Sequence, residues 1–308
     1  MRTVTIFGGS GFVGRYIVQK FAENGDLIRV AVRNPIAANF LKPLGGVGQI
    51  TPIQASLLNP DEIMQAIQGA DVVINLVGIL YEKGSQTFEA VHVEGARRIA
   101  EIASQQGVPT LLHMSALGAN KESHSRYAST KARGEMAVLK HFPKATIFRP
   151  SVIFGAEDSF FNRFAEMARL SPFLPLIGGG KTQFQPVYVG DVADAFLKAS
   201  FKKEVQGNTY ELGGPSIYTF KKLMEFLLKT ICRKRLLVSL PFPLAKTIAF
   251  FTQFLPTPPL TPDQVELLKT DNVVSSEALT AEDLGIRPKA LEALVPFYLA
   301  GYCPPGKS

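Results

Sequence analysis

The sequence predicts an α/β protein: a doubly wound parallel sheet joined to a smaller, mostly helical C-terminal subdomain. Three observations carry that expectation. Short apolar runs alternate with helical patterns through the first half of the chain. Those runs are nearly continuous rather than alternating, as strands covered on both faces should be. The first of them opens directly into a glycine-rich turn followed by a helix.

Taken in order, strands are expected at 3–7, 28–32, 49–54, 72–77, 110–115 and 146–150, and helices at 11–24, 59–67, 89–106 and 125–142. Pro60 and Asp61 suit a helix start, since proline is preformed for a first turn and aspartate complements the helix dipole. After Pro150 the rhythm loosens. A helix at 160–170 leads through the irregular stretch SPFLPLIGGGK to a strand at 184–189, a helix at 191–201 and a strand at 208–212. From 216 the chain reads as helical and punctuated by prolines, and the tail CPPGKS as disordered. The expected division is a first domain of 1–155 with a return segment at 184–212, and a smaller subdomain of 156–183 and 213–308.

A chain of 308 residues, 46% hydrophobic and 19% charged, has the makeup of a globular enzyme of one large or two intimate domains. Cys232 and Cys303 are too few for a disulfide framework. The four histidines lack the i, i+4 pairing of a helical zinc site, so no metal is expected. A strand beginning at Thr3 leaves no room for a cleavable leader, and a reducing, cytoplasmic setting is expected. The net charge of +7 is concentrated between Lys221 and Arg235, where six basic residues face one acid, Glu225. Such a stretch meets phosphates, an anionic membrane or an acidic partner, or is simply a solvated face. Only Phe226 is aromatic within it, which argues against nucleic acid. The apolar run 242–255 is too short to span a bilayer. Its first reading is a buried core helix, and its second an interfacial helix or docking surface.

The turn after the first strand is Gly8-Gly9-Ser10-Gly11-Phe12-Val13-Gly14. A tight turn, close backbone approach and a helix N-terminus aimed at the phosphates are what a dinucleotide pyrophosphate needs, and between a first strand and a first helix the pattern is a strong signal. Gly8, Ser10, Gly11, Phe12, Val13 and Gly14 are therefore the candidate cofactor-binding residues. The second strand ends in Arg33-Asn34-Pro35 rather than in an acid. A guanidinium holds a 2′-phosphate that a carboxylate would repel, so Arg33, assisted by Arg15, predicts NADPH over NAD.

Strand LLHMS ends in Ser115, and a helical pattern follows with Tyr127 and Lys131 on one face. A phenol acting as general acid needs a nearby ammonium to stabilise its phenolate, and a serine at a neighbouring strand end orients a carbonyl. Tyr127, Lys131 and Ser115 are the catalytic candidates. Tyr-x-x-x-Lys arises readily by chance, and its place after the fifth strand gives it weight.

This arrangement resembles the extended or atypical branch of the short-chain dehydrogenase/reductase superfamily. Asn75-Leu76-Val77-Gly78 resembles the family's nicotinamide-side turn, and Arg149-Pro150 opens a stretch like its RPxxxxG element. The resemblance therefore adds Leu76, Val77, Gly78, Lys131 and Pro150 to the cofactor-binding set. Two departures stand out: Ala55-Ser56-Leu57 follows the third strand where many relatives carry an acid, and His92 stands where extended enzymes often have asparagine. Both weigh against ordinary sugar-nucleotide chemistry.

Within the superfamily, GGSGFVGRY (8–16), VVINLVG (72–78), HMSALGAN (113–120), SRYASTKARGE (125–135) and the late stretches LPFPLAK, LTPDQVELLKTDNVV and AEDLGI resemble the NADPH-binding accessory subunits of respiratory complex I, the alpha-subcomplex subunit 9 family, in a bacterial form. That resemblance implies a dinucleotide, preferably NADPH with NAD possible, held for a structural or regulatory role. It also implies docking on complex I or another membrane-bound assembly, peripheral to the inner membrane. Two readings stay open. In one the cofactor is locked, Lys131 holds the ribose and Tyr127 packs. In the other an NADPH-dependent reductase or epimerase acts on an apolar carbonyl or quinone. The branch often dimerises through the helices after the fourth and fifth strands, whereas a docked subunit is expected to be a monomer.

Overall fold

The computed structural model describes residues 1–255 and 258–304. The chain divides into two compact units, Met1–Pro150, Gly190–Glu211 and Glu277–Ile286 in the first, and Ser151–Val189, Leu212–Ser276 and Arg287–Ser308 in the second. The division thus falls at Pro150 rather than 155, and the return segment begins at Gly190 rather than 184. Segment 277–286 also joins the first unit, because Glu211 N–H donates to Leu279 O at 2.8 Å and Lys198 Nζ to Gly285 O at 2.5 Å.

The chain opens with β1 (Thr3–Phe7), α1 (Phe12–Glu23), β2 (Leu27–Val32), a 3₁₀ helix (Ile36–Leu44), β3 (Ile50–Gln54), α2 (Pro60–Ile67) and β4 (Val72–Asn75). A π-helix (Glu89–Gly95) then runs into α3 (Ala96–Gln105), followed by β5 (Thr110–Met114), α4 (Arg126–His141) and β6 (Thr146–Pro150). The second unit takes β7 (Ile153–Phe154), α5 (Phe161–Leu170), β8 (Phe173–Ile177), β9 (Gln183–Phe184) and β10 (Val187–Tyr188). After α6 (Val189–Ala199) and β11 (Thr209–Leu212), it continues with β12 (Tyr218–Thr219), α7 (Phe220–Thr230), β13 (Leu236–Leu240), α8 (Phe242–Thr252), α9 (Pro262–Leu267) and α10 (Leu291–Leu299).

Seven strands form one sheet in the order β11-β6-β5-β4-β1-β2-β3, a doubly wound Rossmann-like sheet. The chain runs outward one way from β1 through β3 and the other way from β4 onward. The order therefore reverses between β1 and β4, and their carboxyl ends flank the crevice where such folds take ligands. Phe7 of β1 is buried with Ile63 and Ile67 of α2, Ile99 of α3 and Val138 of α4, a core that fixes one face of the sheet. Thr5 also faces α2, and its buried hydroxyl donates to Ala66 O at 2.7 Å. α2 starts as its sequence suggests: Asn59 Oδ1 accepts from Asp61 N–H at 3.1 Å, Pro60 stands in the first turn, and Asp61 and Glu62 face the dipole.

In the second unit, Phe154, Phe161, Phe184, Phe220, Leu223, Leu227 and Val295 bury a separate core. Several local expectations are corrected here. The single strand expected at 184–189 is two short ones, because Pro186 has no N–H to continue a ladder. β9 pairs antiparallel with β12, and β10 pairs parallel with β7. The stretch SPFLPLIGGGK contains β8, which pairs in parallel with β13, so the region after 216 is less helical than its prolines suggested. The apolar run from 242 is a helix to Thr252, yet only Ala245 and Ala249 of it are buried, so the first reading of a core helix is wrong. Of the tail expected to be disordered, residues 305–308 lie outside the described residues.

Candidate dinucleotide site

β1 delivers Gly8 at φ +79°, a left-handed conformation that side chains resist, and Gly11 N–H closes the turn on Gly8 O at 3.1 Å. Gly14 is the more demanding position. A Cβ there would stand 2.4 Å from Gly8 O and 2.6 Å from the Gly9 backbone, so α1 rests directly on the turn only because residue 14 has no side chain. α1 begins at Phe12 with no capping side chain and no acid in its first turn. Its leading amides and positive dipole end thus suit an anion. A Cβ at Gly8 would lie 3.3 Å from the Leu76 and Val77 backbone, so the turns after β1 and β4 meet at the crevice. This open cradle fits a pyrophosphate. Ser10 and Phe12 lie half-buried along the turn, Val13 is buried, and Phe12 rests edge-on against Tyr16.

Arg33 is exposed just past β2, with the side-chain amide of Gln86 against its guanidinium. Arg15 lies over the Phe40 ring at 5.3 Å, on the 3₁₀ helix that follows Arg33. After β3, where an acid was missing from the sequence, Glu62 of α2 reaches back and accepts from Ser56 N–H at 2.7 Å.

Lys131 lies at the ends of β4 and β5, Ser115 directly follows β5, and Tyr127 stands one turn before Lys131 on α4. Ser125 Oγ caps α4 by accepting from Ala128 N–H at 3.2 Å, which sets the phase of Tyr127 and Lys131. Lys131 is buried, donates to Met114 O at 3.2 Å, and would stand 3.2 Å from a Cβ at Gly78. Its ammonium therefore lies beside the strand end that leads to Ser115 and against the turn after β4. Burial holds its pKa down at about 8, with Glu135 pulling the other way. Ser115 Oγ is buried and has no partner among the described residues, which suits a hydroxyl that bonds a ligand. Tyr127 is half-buried, with its ring edge-on to Phe88 at 6.0 Å and to His92 at 5.3 Å. Pro150 is buried at the end of β6, where its carbonyl accepts from Leu117 N–H at 2.9 Å. Arg149 beside it is structural, bound to Glu135 at 2.9 and 2.6 Å.

The sequence assigned no role to Asn75, quoted only within the turn after β4, to His92, noted only as a departure, or to His113. His92 Nε2 accepts from Ile79 N–H at 3.1 Å, so its proton sits on Nδ1, 3.1 Å from Thr130 Oγ1. Asn75 Oδ1 accepts from Val77 N–H at 3.1 Å, which turns Nδ2 toward His113 Nδ1 at 3.1 Å and leaves the His113 proton on Nε2. Burial first, and the Lys131 charge second, lower both imidazoles to about 3. His92 is thus a neutral brace between the turn after β4 and α4, with both ring nitrogens engaged. The sequence signal was its place in a helix that packs on α4. There a Cβ on Gly134 would come within 2.1 Å of His92 O. Among the described residues no cluster of His, Cys, Asp or Glu is arranged to hold a metal.

Comparison with known proteins agrees with this geometry. Residues 4–213 match the NAD dependent epimerase/dehydratase family. The chain belongs to that family. It is 39% identical to the Arabidopsis thaliana mitochondrial protein NADH dehydrogenase [ubiquinone] 1 alpha subcomplex subunit 9, over 97% of this chain and 77% of that one. It is 34% identical to the Neurospora crassa NADH-ubiquinone oxidoreductase 40 kDa subunit, over 97% and 79%. A ceramide reductase of Caulobacter vibrioides is 30% identical over 78% of this chain and 74% of that one. Among solved structures, a dTDP-glucose 4,6-dehydratase of Streptomyces venezuelae superposes with a TM-score of 0.74 at 16% identity, covering 97% of this chain and 96% of that one. That likeness establishes the fold. The chain is thus an epimerase/dehydratase-family protein close to the alpha-subcomplex subunit 9 proteins, and its family binds a nicotinamide dinucleotide.

Proposed function

We propose that this family member holds NADPH for a structural or regulatory purpose and docks, as a peripheral protein, on a membrane-bound assembly of the respiratory kind named for its relatives. The observation that carries the reading is the braced neighbourhood of Lys131. In that neighbourhood the ammonium is buried against Gly78 and Met114 O, and His92 is neutral with both nitrogens used. An ammonium in that place suits a ribose hydroxyl, and a neutral imidazole with its one N–H and its acceptor nitrogen both engaged is placed to brace rather than to act as a general acid.

In this reading the turn Gly8–Gly14 and the start of α1 hold the pyrophosphate. Arg33 and Arg15 hold a 2′-phosphate, Leu76–Gly78 and Pro150 line the nicotinamide side, and Lys131 binds the ribose. Only under turnover would the bound dinucleotide supply a hydride. The test is a titration of the emptied protein with NADPH and NADH, in the natural chain and in Arg33→Ser. Tighter binding of NADPH that Arg33→Ser erases supports the reading, and equal affinity in the natural chain contradicts it.

A second reading, an active reductase of an apolar carbonyl compound, is favoured by the unfilled Ser115 hydroxyl and by the identity shared with a ceramide reductase. Ser115 Oγ would then donate to the carbonyl oxygen, Tyr127 would deliver the proton and Lys131 would stabilise the phenolate. Tyr127→Phe is expected to abolish turnover of any such substrate with dinucleotide affinity unchanged, and retained turnover removes Tyr127 from the chemistry.

A further inference from the structure

We propose that the second unit binds directly to an anionic lipid surface through the outward face of α8, aided by the exposed lysines of the same unit. α8 has the apolar composition of a core helix around nearly its whole circumference, yet only Ala245 and Ala249 are buried. Those alanines seat it against Ile177 and Val265, which brings its backbone close and turns the larger side chains outward. Leu244, Ile248 and Phe251 fall at i, i+4 and i+7 on the outward side and are exposed. Phe250 lies beside them, in edge contact with Phe251 at 5.6 Å and with Phe254 at 6.1 Å. Phe251 is 71% and Phe254 77% exposed. A contiguous group of large apolar side chains left to water marks a contact surface.

The surrounding charge selects the partner. From Leu236 to Pro262 the sole ionisable side chain is Lys246, on α8 itself; α9, packed on α8 through Val265, adds Asp263 and Glu266, the latter paired with Lys269 at 2.7 Å. The chain enters this stretch through Arg233-Lys234-Arg235, after α7 has contributed Lys221, Lys222 and Lys229 against the single acid Glu225. Glu225 lies 3.8 Å from Lys221. The guanidiniums of Arg233 and Arg235 donate to the carbonyls of Tyr302 and Ala168 at 3.2 and 2.8 Å, so both residues also anchor the fold. Lys234 and Lys246 are exposed and have no such role. An aromatic and aliphatic ridge that itself carries no carboxylate, with exposed Lys246 on the same helix and exposed Lys234 in the same unit, matches a bilayer interface, with rings among the acyl chains and ammonium groups at anionic headgroups. Among the described residues no helix is long and apolar enough to cross a membrane, so α8 lies along the surface. The inference uses no residue of the dinucleotide site.

The chain contains no tryptophan, so Phe251→Trp, at an exposed position of the full-length protein, gives a single reporter on α8. With vesicles of phosphatidylcholine containing phosphatidylglycerol, its emission is expected to move to the blue and to be quenched by lipids brominated on the acyl chain. The unlabelled protein is expected to float with those vesicles, and about tenfold less with phosphatidylcholine alone. Phe250→Ser with Phe254→Ser is expected to remove flotation. Lys234→Glu with Lys246→Glu is expected to remove the dependence on phosphatidylglycerol. Circular dichroism and the melting midpoint, unchanged in both pairs, establish that the fold is intact. Emission unchanged on either vesicle overturns the proposal, as does flotation that survives both pairs of substitutions. Binding only to native membranes not treated with protease overturns it too, and assigns the face to a protein partner.

Discussion

Lys131 carries its ammonium into a part of the first unit where two imidazoles, His92 and His113, are both held neutral. Each ring has an ordinary value of 6.5 and is lowered to about 3. As the pH falls below 6.5, the unfolded chain takes up protons at both rings that the native chain refuses. Native stability therefore drops through the window from 6.5 to 3, by up to about 1.4 kcal/mol per pH unit for each ring. Lys131 acts in the alkaline range, since its value falls from 10.5 to about 8. Between those values the native chain has released a proton that the unfolded chain keeps, so stability rises as pH climbs through the window. Urea melts across pH check both slopes. Lys131→Met is expected to abolish the alkaline rise, and His113→Gln to shrink the acid slope by one proton. At the mouth of the site, Arg33→Ser is expected to cost NADPH about tenfold or more in affinity, the value of one charge-assisted hydrogen bond, and to leave NADH unchanged. The comparison of the two affinities is the measurement.

At the scale of elements, the π-helix Glu89–Gly95 and α4 form the part of the site that depends most on packing. Gly134 lets α4 approach so closely that a Cβ would fall 2.1 Å from His92 O. Gly134→Ala is expected to push the two helices apart, to cost roughly 1–3 kcal/mol of stability and to weaken dinucleotide binding, read by thermal melting and titration. This packing marks the limit of what the sequence made legible. The parallel strands, the Gly8–Gly14 turn and the Tyr127–Lys131 face were readable because each rests on local periodicity or spacing. The π-helix was read as plain α-helix, because nothing in the composition of Glu89–Gly95 marks a wider turn. The roles of His92 and His113 were likewise hidden, since a buried imidazole is defined by partners such as Thr130 and Asn75 that lie far away in sequence. β8 and β13 were missed for the same reason, as each becomes a strand by pairing with the other. α8 failed in the opposite sense: its composition is that of a core helix, and only the short alanine contact reveals that the rest faces outward.

At the scale of the whole molecule, a Rossmann-like unit with a built dinucleotide cradle is joined in one chain to a unit that carries nearly all the excess positive charge and a large exposed apolar helix. The family relation, the glycine turn and the buried Lys131 all bear on the binding of a nicotinamide dinucleotide, and we propose that the protein holds it rather than turns it over. The measurement that tests the claim most directly is the nucleotide content of the purified protein, released by denaturation and identified by chromatography and mass. Close to one NADPH per chain is expected, retained through purification and not oxidised when ketones, aldehydes or quinones are added. A protein that emerges empty, and whose added NADPH is consumed by such substrates, would contradict it.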